Sequence, residues 1–489
     1  MKETCMKKCF DADKYLKLQK RKIKERIKLF DKLYIEFGGK FVDDYHAMRV
    51  LPGFEPDLKI RLLQEFKKDL EVILCISAND IETSKIRSDR VISYGTEVLR
   101  LIEFLRSRDI TVNNVVITLY DNQKKVTDFI NRLQDYNITP YKHTFTKGYP
   151  TDVDTIVSDE GYGANPYIKT TKPIVVVTAP GAKSGKLATS LSQLYHEYKR
   201  GVKAGYAKLE TFPVWDLALK HPVNIAYEAA TADIDDHNMI DYFHLEKYGK
   251  TAVNYNRDLE VFPVLKEILH RIIGHDIYYS PTDMGVNVIG RCLIDNNLAE
   301  QAAKDEIIRR YFKALVDCKK GLVDKSTPEK IKLLMNELDI SEKDRPVIYH
   351  AEAKAQKCHM PSACIQIGSK FITGRQTSFL SPVASTFLNT IKYITGIPDE
   401  IELISETVLD PILKIINRTS NFKKSTLDLN AVLIALSICS TTNPIVKTAI
   451  DNFDKLRGVE LHATCMIPNG EMSVLNNLGI NATCSAKSQ

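Results

Sequence analysis

Short apolar runs, each closed by a polar cluster and followed by helical periodicity, recur through the first part of this chain. Runs rich in β-branched residues at 33–37, 72–76, 115–119 and 173–177, with a shorter one near 141–144, predict buried strands. Between them, apolar residues spaced by three and four predict helices over about 57–68, 96–106 and 125–136. After the 173–177 run, Leu187, Leu191, Leu194, Tyr195 and Tyr198 fall on one helical face, with Gly205 as the expected stop. Upstream, residues 7–32 read as a basic helix with Leu16, Ile23, Ile27 and Phe30 on its apolar side. A surface helix with a solvated face is the expectation there, and a membrane- or acid-binding helix the competing reading. Strands alternating with helices imply right-handed crossovers and a parallel sheet covered on both faces.

Helices dominate 259–338, including a long amphipathic one at 298–319. From Arg345 a second α/β block begins, with strands expected at 346–349 and 365–372, a helix at 383–394 and a last strand at 459–466. Alternation on that last strand puts Glu460, His462 and Thr464 on one face, as an exposed edge or as a site. The expected domains are 1–212, 213–340 and 341–489.

In a parallel sheet, ligands bind beyond the carboxyl ends of the strands. The clusters Gly39-Lys40, Asn79-Asp80, Asp121-Asn122 and Gly185-Lys186 each follow a predicted strand and are expected to gather at one edge. The fourth is the richest. Thr178-Ala179-Pro180-Gly181-Ala182-Lys183-Ser184-Gly185-Lys186 lies between strand and helix, the order of a phosphate-binding loop. It departs from that pattern twice: Pro180 stands at the first glycine position, and Leu187 at the magnesium-binding hydroxyl position. Ser184, Thr189 or Ser190 are the replacement hydroxyls. Free amides and the helix dipole still favour an anion there, against the competing reading of an ordinary turn. Gly38-Gly39-Lys40, with Asp43, Asp44, His46 and Arg49 behind it, is a second, weaker glycine–lysine turn. The glycine-dense 148–165 stretch reads as a mobile loop or a plain linker.

Residues 210–287 are polar without clear periodicity, an arrangement that needs something to organise it. Crowded carboxylates favour a divalent cation, so Asp233, Asp235 and Asp236 are the candidate magnesium ligands. Glu228 and His46 are the acid–base candidates. An acidic surface loop with helix caps is the competing reading. Zinc is not expected: His196-Glu197 lacks the second histidine of H-E-x-x-H, and no P-C-x-x-C follows His350-Ala351-Glu352.

Composition narrows the picture. A chain of 489 residues exceeds one core, so two or three domains are expected. The net charge of +6 is too mild to argue for nucleic acid. Ten scattered cysteines and no apolar leader suggest reduced thiols and a cytoplasmic location. The longest apolar stretch, 431–439, is too short to span a bilayer, so no membrane partner is expected.

The segments Tyr34-Ile35-Glu36-Phe37-Gly38-Gly39-Lys40, Val177-Thr178-Ala179-Pro180-Gly181, Tyr227-Glu228-Ala229-Ala230-Thr231-Ala232-Asp233 and Ser280-Pro281-Thr282-Asp283-Met284-Gly285-Val286-Asn287 resemble the bacterial proteins of uncharacterised protein family 0371, or domain of unknown function 1846. The resemblance covers nearly the whole chain. It implies a Rossmann-like, doubly wound, mainly parallel α/β part, a helical insertion and a smaller C-terminal α/β domain. It carries no agreed activity. Some members have been labelled ATP-dependent zinc proteases, and this sequence lacks the residues for that. The residues therefore set the expectation: an enzyme of the ligase or kinase type using ATP or another phosphorylated compound, with magnesium. The alternative is a non-catalytic, homo-oligomeric protein that binds a phosphometabolite.

Overall fold

The computed structural model describes residues 8–87, 92–419 and 426–486. The chain forms two compact units, Met1–Glu306 and Ile307–Gln489.

In the first unit six strands form one parallel sheet: β1 (Lys32–Phe37), β2 (Leu70–Ser77), β3 (Thr111–Thr118), β4 (Thr139–Lys142), β5 (Ile174–Thr178) and β6 (Ala204–Leu209). Their spatial order is β4-β3-β2-β5-β1-β6. The central strands are mostly apolar on both faces, because helices cover both sides, with Glu36, Glu71 and Asn114 among the buried polar exceptions. On β1, Leu33, Ile35 and Phe37 join the core beneath the Leu58–Gln64, Tyr94–Arg106 and Lys125–Asp135 helices. Tyr34 points the other way, into the core under the Lys186–Lys199 and Asn256–Ile273 helices. Glu36 shares that second face by alternation, and so do Tyr206 and Lys208 on β6. The expected doubly wound sheet is therefore present, with a smaller C-terminal unit.

Several local expectations change. The basic helix spans Ala12–Ile27 and buries Tyr15, Gln19 and Ile23, so one side is committed to the unit's own core. The helix after β5 stops at Lys199; Gly201, at φ +76, makes the turn, and Gly205 lies inside β6 with the Phe30 ring where its Cβ would be. The 148–165 stretch is packed rather than open. Ile156 and Tyr162 are buried, and Asn165 Oδ1 accepts from Thr144 N at 2.8 Å. Residues 210–287 fold into the short Asn238–Ile240/Val253–Tyr255 hairpin and helices that include Pro222–Ala230 and Asn256–Ile273.

The second unit carries a four-stranded sheet of Ser362–Ile367, Lys370–Arg375, Glu460–Ala463 and Asn481–Cys484. Residues 346–349, expected as a strand, begin the Pro346–Cys358 helix: a four-residue apolar run after a first-turn proline fits either element. The 365–372 run is a hairpin that turns at Gly368, φ +56. The strand at Glu460–Ala463 is neither last nor an edge, since it pairs with both Ser362–Ile367 and Asn481–Cys484. Its polar triplet is structural. Glu460 is 2.6 Å from Arg309 and 2.5 Å from Arg345, His462 Nδ1 is 2.9 Å from Thr483 Oγ1, and Thr464 Oγ1 accepts from Ser362 N. Among the described residues no two cysteines are joined in a disulfide. No helix among the described residues is long and apolar enough to cross a membrane.

Candidate functional site

β5 lies in the middle of the sheet, with Thr178 level with Leu74 on β2 and Val177 level with Glu36 on β1. The loop after it is bent by two residues in the left-handed region, Lys183 at φ 56 and Gly185 at φ 78. Gly185 is the N-cap of the Lys186–Lys199 helix, and no side chain caps that end. Its first amides are therefore left to the loop's mouth. Thr118 at the end of β3 anchors the turn by donating to Ser184 O at 2.9 Å, and a Cβ on Gly185 would sit 2.8 Å from Thr118. A Cβ on Gly181 would sit 2.8 Å from the Tyr94 ring. Both glycines are thus required by close approach.

Ser184 is buried, and among the described residues its hydroxyl has no hydrogen-bond partner. The ammonium groups of Lys183, exposed, and Lys186, half-buried, make no hydrogen bond or ion pair among those residues. Lys186 acts on the Cys75 thiol: burial pushes that thiol up to about 12, while the Lys186 charge pulls the other way. The other candidate hydroxyls are engaged, Thr189 Oγ1 with Cys75 Sγ at 3.6 Å and Ser190 Oγ with Lys186 O at 2.9 Å.

The Gly39-Lys40 turn follows β1, the neighbouring strand. It is held from below by a lysine that sequence reasoning missed. Lys59 is 2 % exposed and donates to Lys40 O at 2.6 Å and to Asp44 Oδ2 at 2.9 Å. Burial would raise the Asp44 carboxyl, but the Lys59 ammonium outweighs it and holds the group below its ordinary range. Gly39 sits at φ +67, and Lys40 is exposed. Glycines and lysines of two adjacent strand ends are thereby brought to one edge.

The remaining candidates have other engagements. His46 Nδ1 lies 3.1 Å from Glu306 Oε1, and Glu306 also holds Arg49 through both oxygens. Glu228 Oε1 accepts from Asn238 Nδ2 at 3.0 Å. Asp236 is buried against Arg257, with Oδ2 2.6 Å from Nη2. Asp233 and Asp235 are exposed. Among the described residues no three His, Cys, Asp or Glu side chains gather as a metal site.

A second cluster was not singled out from the sequence. Lys208 on β6 is level with Glu36, and its Nζ lies 2.5 Å from Asp258, 2.6 Å from the Tyr255 hydroxyl and 3.2 Å from Glu210. Tyr206 donates to Glu36 at 2.8 Å, and Tyr255 donates to Glu210. Burial pushes the Asp258 carboxyl up to about 6 against the pull of Lys208, and Glu210 adds to the rise. Lys208 itself is raised, because Asp258, Glu210 and Glu36 outweigh the cost of burying its charge. Glu210 lies directly over Gly38, where a Cβ would come within 1.9 Å of its Oε1. The available signal was the alternation Lys208-Leu209-Glu210 at the end of a buried strand.

Two family models match the chain: the N-terminal domain of unknown function DUF1846 over residues 8–339 and its C-terminal partner over 343–489. A UPF0371 protein of Clostridium botulinum (strain Alaska E43 / Type E3) is 51% identical over 489 residues, 98% of this chain and 97% of that one. A second, from C. botulinum (strain Eklund 17B / Type B), is 52% identical with the same coverage. A UPF0371 protein of Clostridium tetani (strain Massachusetts / E88) is 51% identical, again over 98% of this chain and 97% of its own. This chain, carrying the loop at 179–186 and the Lys208 cluster on one sheet edge, belongs to the DUF1846 family of UPF0371 proteins.

Proposed function

We propose that the protein is an enzyme of the ligase or kinase type that uses ATP or another phosphorylated metabolite. The observation that carries this reading is the uncapped start of the Lys186–Lys199 helix, with the unpartnered Ser184 hydroxyl and Lys186 beside it. An anion there would take the amides of 184–186 and the Lys186 ammonium, with Lys183 and Lys40 adding charge at the rim. Fixed positive groups act where negative charge builds up during phosphoryl transfer. Magnesium would accompany the phosphates, and the exposed Asp233 and Asp235 are better suited to it than Asp236, which is tied to Arg257. Glu228 and His46 are the acid–base candidates; Glu36, level with Val177 on the next strand, is a third.

Incubation of the intact protein with ATP, magnesium and a metabolite extract, followed by mass spectrometry, tests this. The expected result is ADP or AMP that fails to appear with the Lys186→Ala variant. Saturable ATP binding with no such product would favour a homo-oligomeric, non-catalytic binder of phosphometabolites instead.

A further inference from the structure

A cleft of about 50 Å³ opens at the end of β6, apart from the loop at 179–186. Six of its lining residues matter here: Lys208, Glu210, Asp258, Phe212, Trp215 and Asn254. We infer that this cleft binds the ammonium group of a small amine metabolite.

The charge balance comes first. Two carboxylates line the cleft, Glu210 and Asp258, and a third, Glu36, lies behind them, while the one lining cation is Lys208. Lys208 has its donors committed to Asp258, Tyr255 and Glu210. One ammonium thus serves both lining carboxylates in a partly buried place, with the Glu36 carboxylate behind them hydrogen-bonded, among the described residues, only to the Tyr206 hydroxyl. A second cation entering the cleft would meet uncompensated negative charge at low effective dielectric.

The walls fit the same guest. Trp215 and Phe212 line the cleft, and an indole ring attracts cations through its quadrupole. Trp215 already hosts one cation over its ring: the Arg291 guanidinium carbon lies 5.9 Å from the ring centroid. At the rim, Asn254 Oδ1 accepts from Tyr255 N, leaving its amide N–H₂ to face a polar substituent of the guest. The volume suits a head group of a few heavy atoms, with the rest of the ligand toward solvent. Gly38 is part of the design, since any side chain there would displace Glu210.

The test is calorimetric titration of the intact protein with ethanolamine, putrescine and arginine, with choline as a cation lacking N–H donors. At least one of the three N–H donors should bind one to one, and choline should bind at least ten-fold more weakly. Glu210→Gln and Trp215→Leu should each weaken the binding at least ten-fold, and Lys186→Ala should leave it unchanged. Should Glu210→Gln fail to fold, Trp215→Leu decides. No saturable binding by any of the three, equal binding of choline, or wild-type affinity in the folded variants would overturn the inference. The phosphate-loop reading stands or falls separately, because it depends on Lys186 and not on Glu210.

Discussion

Gly185 shows how single residues set the loop. Its φ of 78 is a conformation that side chains resist, and Thr118 fills the space a Cβ would need. Gly185→Ala should therefore cost about 1–3 kcal/mol of stability, read by urea denaturation, with loss of ligand binding in the same variant. This residue was legible in the sequence, because a glycine before a lysine at a strand-to-helix turn is a local pattern. Lys59, Glu210 and Asp258 were not legible as site residues. Each draws its meaning from a partner far along the chain: Lys59 from Asp44 and the Lys40 carbonyl, Glu210 from Gly38 and Tyr255, Asp258 from Lys208.

At the scale of elements, the turn after β1 depends on the Leu58–Gln64 helix, which delivers Lys59 beneath it. Lys59→Met would leave the Asp44 carboxylate buried without its cation. The expected loss is about 3–5 kcal/mol, and Lys59→Met combined with Asp44→Asn should recover much of it, as measured by denaturant unfolding. Five of the six strands of the parallel sheet were readable, since buried strands are continuous apolar runs; β6 was not, because Ala204-Gly205-Tyr206-Ala207-Lys208-Leu209 is broken by a glycine and a lysine. Their order was not, because periodicity within a run says nothing about which strand lies beside it. Residues 346–349 were misread for a related reason: four apolar residues carry too little period to separate strand from helix.

At the scale of the molecule, the two units have separate cores, and the C-terminal one holds a titrating group at its centre. Burial, with the nearby Arg345 charge, pushes the His462 imidazole down to about 3. The unfolded chain takes up a proton near pH 6.5 that the folded unit refuses until about pH 3, so stability is full above 6.5 and falls with acidification through that window. At pH 5 this amounts to about 2 kcal/mol. The thermal midpoint of the C-terminal unit should fall further between pH 7 and pH 5 in the wild type than in His462→Gln. An equal fall in both would contradict it.

The proposed phosphate site is tested most directly by calorimetric titration of ATP and magnesium into the intact protein and its Lys186→Ala variant. The geometry at the start of the Lys186–Lys199 helix predicts one saturable site in the wild type and at least a ten-fold weaker one in a variant that remains folded. Heat of dilution alone in the wild type, or the same affinity in both proteins, would contradict it.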